Sequence, residues 1–235
     1  MKKKAVAIIT ARGGSKRIPR KNVKEFLGKP ILWYSIEAAL KAGIFDEVMV
    51  STEDEEIAAL AMEAGAKVPF MRSKDTSDDF ATTADVVLEV LDSYQQLGQE
   101  FEYVCCIYPT APFVTARCLQ EAMNRLADEQ ADSLIPVVRF GFPPQRGVVI
   151  REGRMEFKWP EYMLARSQDL EPFYHDCGQF YCLRTESFLE QKKLVMKNTL
   201  AYERPESEVQ DIDTLEDWKL AELKYRMLLE RDDRA

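Results

Sequence analysis

Five cations, Arg12, Lys16, Arg17, Arg20 and Lys21, fall within ten residues of a stretch that also holds Gly13 and Gly14. Glycines can take positive φ and turn backbone N–H groups toward an oxyanion, so this mixture predicts a cradle for a polyphosphate. A solvated basic loop is the alternative that every charge run offers. The cradle is favoured because Val6 to Ile9, just upstream, are small or β-branched and uncharged, as a strand covered on both faces must be. Such a strand delivers its loop to the C-terminal sheet edge, where ligands bind. No Lys-Ser or Lys-Thr pair closes the loop and no three spaced glycines occur in it, so it is neither a Walker A nor a dinucleotide loop.

Asp211 and Asp213 flank Ile212, so in an extended segment both carboxylates leave one face while the isoleucine packs inward. Two adjacent carboxylates beside a polyphosphate suit Mg²⁺, which takes one or two carboxylates together with phosphate oxygens and water. The other reading makes Asp213 only the cap of the last helix, with Glu216 completing a capping box.

Arg72 and the pair Thr82-Thr83 bracket a loop between a strand and a helix, a place from which hydroxyls and a guanidinium could read a base; helix capping by either threonine is the competing role. Tyr108-Pro109-Thr110 ends another apolar strand at the same edge. His175 is the single histidine. With Asp176 and Gln179 it suggests a polar substrate pocket, or a ring packed in an aromatic segment. Cys105, Cys106, Cys118, Cys177 and Cys182 lack zinc-site spacing and read as buried, reduced thiols. The only nucleophilic pairings open to them are His175 with Cys177 or Cys182.

The chain has 235 residues and a net charge of −8. That length suits one main domain, and positive charge confined to one loop argues against nucleic acid and for a small anionic ligand. No apolar run reaches membrane-spanning length, and Met1 to Lys4 is followed by too short an apolar stretch for a signal peptide; a cytoplasmic protein with no membrane partner is expected.

Strand and helix signals then alternate. Leu32, Ile36, Ala39 and Leu40 give a helix ended by Gly43. Glu47 to Thr52 is a strand, with Thr52 and Glu55 forming a capping box for a helix bearing Ile57, Leu60, Ala61 and Ala64 and closed by Gly65. Lys67 to Met71 reads as a third strand, Val86 to Tyr94 as a helix ended by Gly98, and Tyr103 to Tyr108 as a strand. A helix over Thr115 to Asp128 and a strand over Ser133 to Val138 follow. The pattern predicts an α/β fold with a doubly wound, mostly parallel, Rossmann-like sheet. The rhythm breaks at 140–180, which is rich in proline and aromatics and holds short alternating segments at Gly147 to Ile150 and Met155 to Trp159. We expect an inserted β-rich arm there, packed on a second subunit or folded back on its own sheet, with 1–139 and 181–235 forming the core. Gln179 to Arg184 and Thr199 to Tyr202 return to strand. A last helix faces inward with Leu215, Trp218, Ala221, Tyr225 and Leu228.

The run Ala11-Arg12-Gly13-Gly14-Ser15-Lys16 through Lys21-Asn22, together with Asp211-Ile212-Asp213 before the last helix, resembles the acylneuraminate cytidylyltransferase family, the CMP-sialic acid synthetases, over nearly the whole chain. The resemblance implies a Mg²⁺-dependent nucleotidyltransferase that joins CTP to a nine-carbon keto sugar acid and releases pyrophosphate, working as a homodimer whose subunits exchange an arm. It places Ala11, Arg12, Gly13, Gly14, Ser15, Lys16, Lys21 and Asn22 on the nucleotide, Arg72, Thr82 and Thr83 at the cytosine, and the metal on Asp211 and Asp213. Arg12, Lys16 and Asp211 would carry the catalysis.

Sialate-type members carry Gln where this chain has Tyr108. Phe142-Pro143-Pro144-Gln145-Arg146 and Tyr174 to Tyr181 look instead like the pseudaminic acid branch. Tyr108, Arg146, His175, Asp176 and Gln179 are therefore the expected sugar contacts, with Arg146 on the sugar carboxylate. The rival readings are a legionaminic, N-acetylneuraminic or eight-carbon acid as substrate, or a nucleotide-binding regulator without turnover.

Overall fold

A computed structural model of the chain describes residues 4–78 and 80–232, the side chains of 231 and 232 excepted. In order, the elements are β1 (Ala5–Thr10), β2 (Glu25–Phe26), β3 (Lys29–Pro30), α1 (Ile31–Ala42), β4 (Glu47–Ser51), α2 (Glu55–Glu63), α3 (Thr83–Gln96), β5 (Tyr103–Ile107), α4 (Ala116–Asp128), β6 (Ser133–Arg139), β7 (Val148–Arg151), β8 (Arg154–Phe157), β9 (Tyr174–Asp176), β10 (Phe180–Arg184), α5 (Thr185–Gln191), β11 (Thr199–Glu203) and α6 (Leu215–Asp232). The main sheet runs β11-β6-β10-β5-β1-β4, and β9 adds to β6. Its strands are parallel except for β10, which lies antiparallel between β5 and β6, and β9, antiparallel to β6.

β1 sits inside this sheet, and its side chains alternate between two cores. Ala5, Ala7 and Ile9 meet Leu32 and Ile36 of α1, Ile57 of α2 and Leu119 of α4 on one face. Val6 and Ile8 meet Val87 and Val90 of α3 and Phe188 of α5 on the other. This is the doubly wound arrangement that the pattern predicts, and it fixes the end of β1, hence the basic loop, from both sides. A third cluster joins Ile18, Phe26, Phe113 and Trp218 around Ile212, which is fully buried. Burying one such side chain contributes ~1.5–3 kcal/mol and pins the aspartates on either side of it.

Several expectations are corrected. Lys67 to Met71 is not a strand; only Lys67 bridges Met49, because Pro69 has no N–H to continue a ladder. The cap of α2 is Asp54, which accepts from the N–H groups of Glu56 and Ile57, in place of the Thr52–Glu55 box. Leu215 points outward at 58% exposure, whereas Trp218 and Ala221 are buried and Tyr225 and Leu228 half-buried. Neither Gly13 nor Gly14 has positive φ. Within 140–180, β7 and β8 pair only with each other, but β9 returns to the main sheet. All five cysteines are buried and unpaired.

Candidate active site

The loop after β1 forms one wall of a cleft of about 600 Å³, to which Arg12, Ser15, Lys16, Arg17, Lys21 and Asn22 contribute. Four of the five cations thus meet in one place. The fifth does not: Arg20 turns back, donating to Asp54 at 2.5 Å and also pairing with Glu56. Gly13 serves by lacking a side chain, since a Cβ there would stand 2.4 Å from Asp54 Oδ2. Its N–H donates to Glu53 Oε1 at 2.7 Å, so this amide is spent on the scaffold. Gly14 faces open space. Asn22, buried, donates to the Arg12 carbonyl at 2.8 Å and fastens the loop to itself.

The opposite wall holds Arg72, Thr83, Val86 and Tyr108. Arg72 is buried and gives two hydrogen bonds to Ser51, at 2.9 Å to the hydroxyl and 2.5 Å to the carbonyl; burial lowers its pKa. The two threonines divide the roles left open above. Thr82 caps α3 in a box with Asp85, and Thr83 faces the cleft with its hydroxyl 2.9 Å from that of Tyr108. The loop between is held by Glu89, which accepts from Ser73 and Thr76.

Asp213 borders the phosphate end. Arg17, a cleft residue, donates to it at 2.6 Å, and Lys21 lies 3.8 Å away while donating to the Ile212 carbonyl. Burial lowers the pKa of Lys21, against the opposing pull of both aspartates. Burial raises that of Asp211, and the neighbouring Asp213 adds to the rise. Capping of α6 does not occupy Asp213: Thr214 and Asp217 form that box. The pair is a donor set of hard carboxylate oxygens, the chemistry Mg²⁺ takes, and among the described residues no group of three or more candidate ligands joins it.

Beyond the aspartates a second hollow of about 420 Å³ is lined by Arg139, Phe140, His175, Asp211 and Asp213. His175 is exposed, its Nδ1 2.9 Å from the Asp176 carbonyl and its ring 4.7 Å from that of Phe140. Asp176 accepts from the Tyr181 hydroxyl and the Gly178 N–H, both at 2.7 Å. Gln179 is buried and donates to the Glu208 carbonyl. Arg146 lines neither hollow; it donates to Ser167 within the arm. Cys177 is no nucleophile, since burial, with Asp176 beside it, pushes its thiol up to about 12. Sequence reasoning missed Ser51, Glu53, Asp54 and Glu89, whose partners lie 13 to 40 residues away and leave no local signal; only Asp54 could have been found, as a carboxylate just ahead of a helical stripe.

A basic loop and a polar base-sized wall, meeting at the C-terminal edge of a mostly parallel sheet with two carboxylates alongside, define a nucleotidyltransferase. The chain belongs to the cytidylyltransferase family, whose model matches residues 6–202. It is 41% identical to the pseudaminic acid cytidylyltransferase of Campylobacter jejuni subsp. jejuni serotype O:2 over 225 residues, 95% of this chain and 97% of that protein. It is 31% identical to the CMP-N,N'-diacetyllegionaminic acid synthase of Legionella pneumophila, over 92% of this chain and 94% of that one. A solved CMP:2-keto-3-deoxy-manno-octonic acid synthetase in complex with CTP shares the fold at TM-score 0.70 and 19% identity, over 97% of this chain and 99% of the other.

Proposed function

We propose that the chain transfers CMP from CTP to the anomeric hydroxyl of a nonulosonic acid, pseudaminic acid, releasing pyrophosphate. One observation carries this reading: four cations line the phosphate end of a cleft whose far wall is Arg72, Thr83 and Tyr108, and two of them, Arg17 and Lys21, reach Asp213 of the carboxylate pair in the adjoining hollow. Family membership and the similarity to the Campylobacter jejuni enzyme support it, and no helix among the described residues is long and apolar enough to cross a membrane. The cytoplasm, where nucleoside triphosphates are kept, is the expected setting.

Arg12 and Lys16 neutralise the triphosphate and the charge that gathers on the α-phosphorus and on the leaving pyrophosphate, in a reaction where positioning and electrostatics do most of the work. Arg17 and Lys21 hold Asp213 at the edge of that site. Asp211 and Asp213 would hold Mg²⁺, which supplies Lewis-acid neutralisation of phosphate oxygens when bound. The sugar acid would lie in the second hollow, where this subunit offers two cations, Arg139 and Lys224, and Lys224 already donates to the Glu206 and Val209 carbonyls, leaving Arg139 as the candidate for its carboxylate. Arg146 serves that role only if the arm reaches a second subunit, consistent with a homodimer built through 140–180.

The test is incubation of the protein with CTP, Mg²⁺ and a panel of nonulosonic and eight-carbon keto acids, reading pyrophosphate release and the CMP-sugar mass. Pseudaminic acid should give the highest kcat/KM. Turnover of an eight-carbon acid or N-acetylneuraminic acid in preference to it would overturn the substrate, and absence of turnover with all of them would overturn the activity.

A further inference from the structure

Transfer of CMP to the sugar takes a proton from the anomeric hydroxyl, and the hollow where the sugar would lie holds one group suited to accept it. His175 stands on β9 opposite Val138 of β6 and lines that hollow together with Asp211 and Asp213. Its Nδ1 lies 2.9 Å from the Asp176 carbonyl oxygen. A carbonyl only accepts, so Nδ1 carries the proton of the neutral ring and Nε2 keeps a bare lone pair. The residue that fixes the ring is itself fixed, because the Asp176 carboxylate accepts from the Gly178 N–H and the Tyr181 hydroxyl, both at 2.7 Å. The Phe140 ring, 4.7 Å from the imidazole, bounds its other side. The turn after His175 also reaches the carboxylate pair, since a Cβ built on Gly178 would stand 3.9 Å from Asp211 Cγ.

All but one of the other ionisable groups lining the hollow have different work. Asp217 caps α6, accepting from the N–H groups of Asp213 and Thr214 and from the Thr214 hydroxyl. Lys224 donates to the Glu206 and Val209 carbonyls, and Arg139, a guanidinium, has no lone pair to offer. Asp211 and Asp213 are the carboxylates read as the metal pair, and Arg17 and Lys21 hold Asp213 besides. Glu206 remains, but a positioned base works best when its basicity suits neutral pH, which favours an imidazole over a carboxylate. We propose that His175 is the general base of the transfer, with Nε2 accepting the proton of the anomeric hydroxyl. The inference rests on the reading of the site as one for CTP and a keto sugar acid. As the anomeric oxygen forms its bond to the α-phosphorus, its O–H bond breaks and the proton passes to Nε2. The bond from the α-phosphorus to pyrophosphate breaks with its electron pair leaving on pyrophosphate, and the imidazolium then returns the proton to water.

The experiment measures single-turnover CMP transfer with CTP, Mg²⁺ and pseudaminic acid in wild type, His175→Ala, His175→Gln and Glu206→Gln. A general base contributes roughly 10²- to 10⁴-fold, so His175→Ala should slow the step by about 100-fold or more while KM for CTP stays within about 3-fold. His175→Gln can still accept a hydrogen bond from the hydroxyl but cannot take its proton, and should be as slow. Because His175 is exposed, imidazole added in solution can enter the hollow and should return a large part of the lost rate to His175→Ala and none to wild type. A merely structural role would move stability or KM and would not answer to imidazole. The proposal is overturned by a His175→Ala protein that transfers CMP within about 3-fold of wild type, or by full restoration in His175→Gln. No response to imidazole overturns it too, as does a loss of the step that follows Glu206→Gln and spares His175→Ala. A wild type that releases no pyrophosphate from CTP with any keto sugar acid would instead remove the reading beneath it, and shows before any variant is made.

Discussion

Arg20 holds Asp54 across 2.5 Å from a left-handed backbone with φ 55, and this pair shapes the basic loop. Asp54 simultaneously caps α2 and lies under Gly13. The pair depresses the Asp54 pKa, chiefly through the Arg20 hydrogen bond. Gly13→Ala would drive a methyl onto Asp54 and displace the loop, so we expect CTP KM to rise about 10-fold or more, an effect worth ~1.4 kcal/mol. Asp54→Ala should add the loss of a cap, ~0.5–2 kcal/mol of stability. CTP titration and thermal melts check both; a Gly13→Ala protein that binds CTP like wild type would show that the close approach is idle.

Asp211→Ala should abolish turnover while the fold stays intact, because Ile212 keeps its place in the third cluster. Removing a metal contact from a phosphoryl site costs several kcal/mol in the barrier, or orders of magnitude in rate. Titration with Mn²⁺, followed by its paramagnetic signal, should show binding to wild type in the presence of CTP and much weaker binding to the variant. Near-normal activity at saturating Mg²⁺ would remove Asp211 from the metal site.

What could be read from the sequence was whatever repeats with the period of a strand or helix. The uncharged run of β1, covered on both faces, the helix over Thr115 to Asp128 and the inward Ile212 between two aspartates all hold. Lys67 to Met71 misled because its apolar residues suggest a strand that Pro69 cannot hydrogen-bond. α5 escaped notice since only Ser187 and Phe188 of its seven residues are buried, too few to print a period. The loop cations could be named, but that Arg20 serves Asp54 and not the cleft depends on a partner 34 residues away. Local spacing carries no such information.

The arm should carry a dimer interface. Ile150, Met155 and Leu164 are 77%, 63% and 87% exposed there, a cost in water that a second copy would remove. An obligate interface would bury well over ~1,000 Å². Sedimentation should give a dimer at micromolar concentration; a fully active monomer would refute it.

Asp132 ties β6 to α5 by accepting from Ser187 at 2.7 Å, from Arg184 at 2.9 Å and from Gln191 at 3.2 Å. The Ser187 hydrogen bond, followed by those from Gln191 and Arg184, outweighs the cost of burial and brings its pKa down to about 2. A carboxyl depressed on folding stabilises the native state above its unfolded pKa, near 3.9, and loses that contribution as pH falls toward 2. Asp132→Asn should therefore cost ~1–2 kcal/mol at pH 7, with the gap to wild type closing between pH 4 and 2. Urea melts across that range test it, and a gap independent of pH would mean that the charge is not what stabilises.

Tyr108 bears on the choice of sugar. Its hydroxyl lies 2.9 Å from that of Thr83 and it lines the nucleotide cleft, so its ring meets a sugar only where the substrate reaches across from the second hollow. An apolar ring favours a 9-deoxy sugar ending in a methyl over one ending in a hydroxymethyl, but a site made for a methyl rejects an added hydroxyl only by about 100-fold. Wild type should thus prefer pseudaminic to N-acetylneuraminic acid to about that extent. Tyr108→Phe keeps the ring and should keep the sugar preference within about 3-fold, while taking away the hydroxyl 2.9 Å from that of Thr83 and so weakening the binding of either nucleotide, CTP or UTP, only modestly. Tyr108→Gln, which replaces the ring with an amide that both donates and accepts, should lower activity toward the 9-deoxy sugar and narrow the sugar gap as well. Measuring kcat/KM for both sugars and both nucleotides in the three proteins resolves the matter. The assignment fails if Tyr108→Phe loses the sugar preference, or if wild type uses N-acetylneuraminic acid as well as pseudaminic acid.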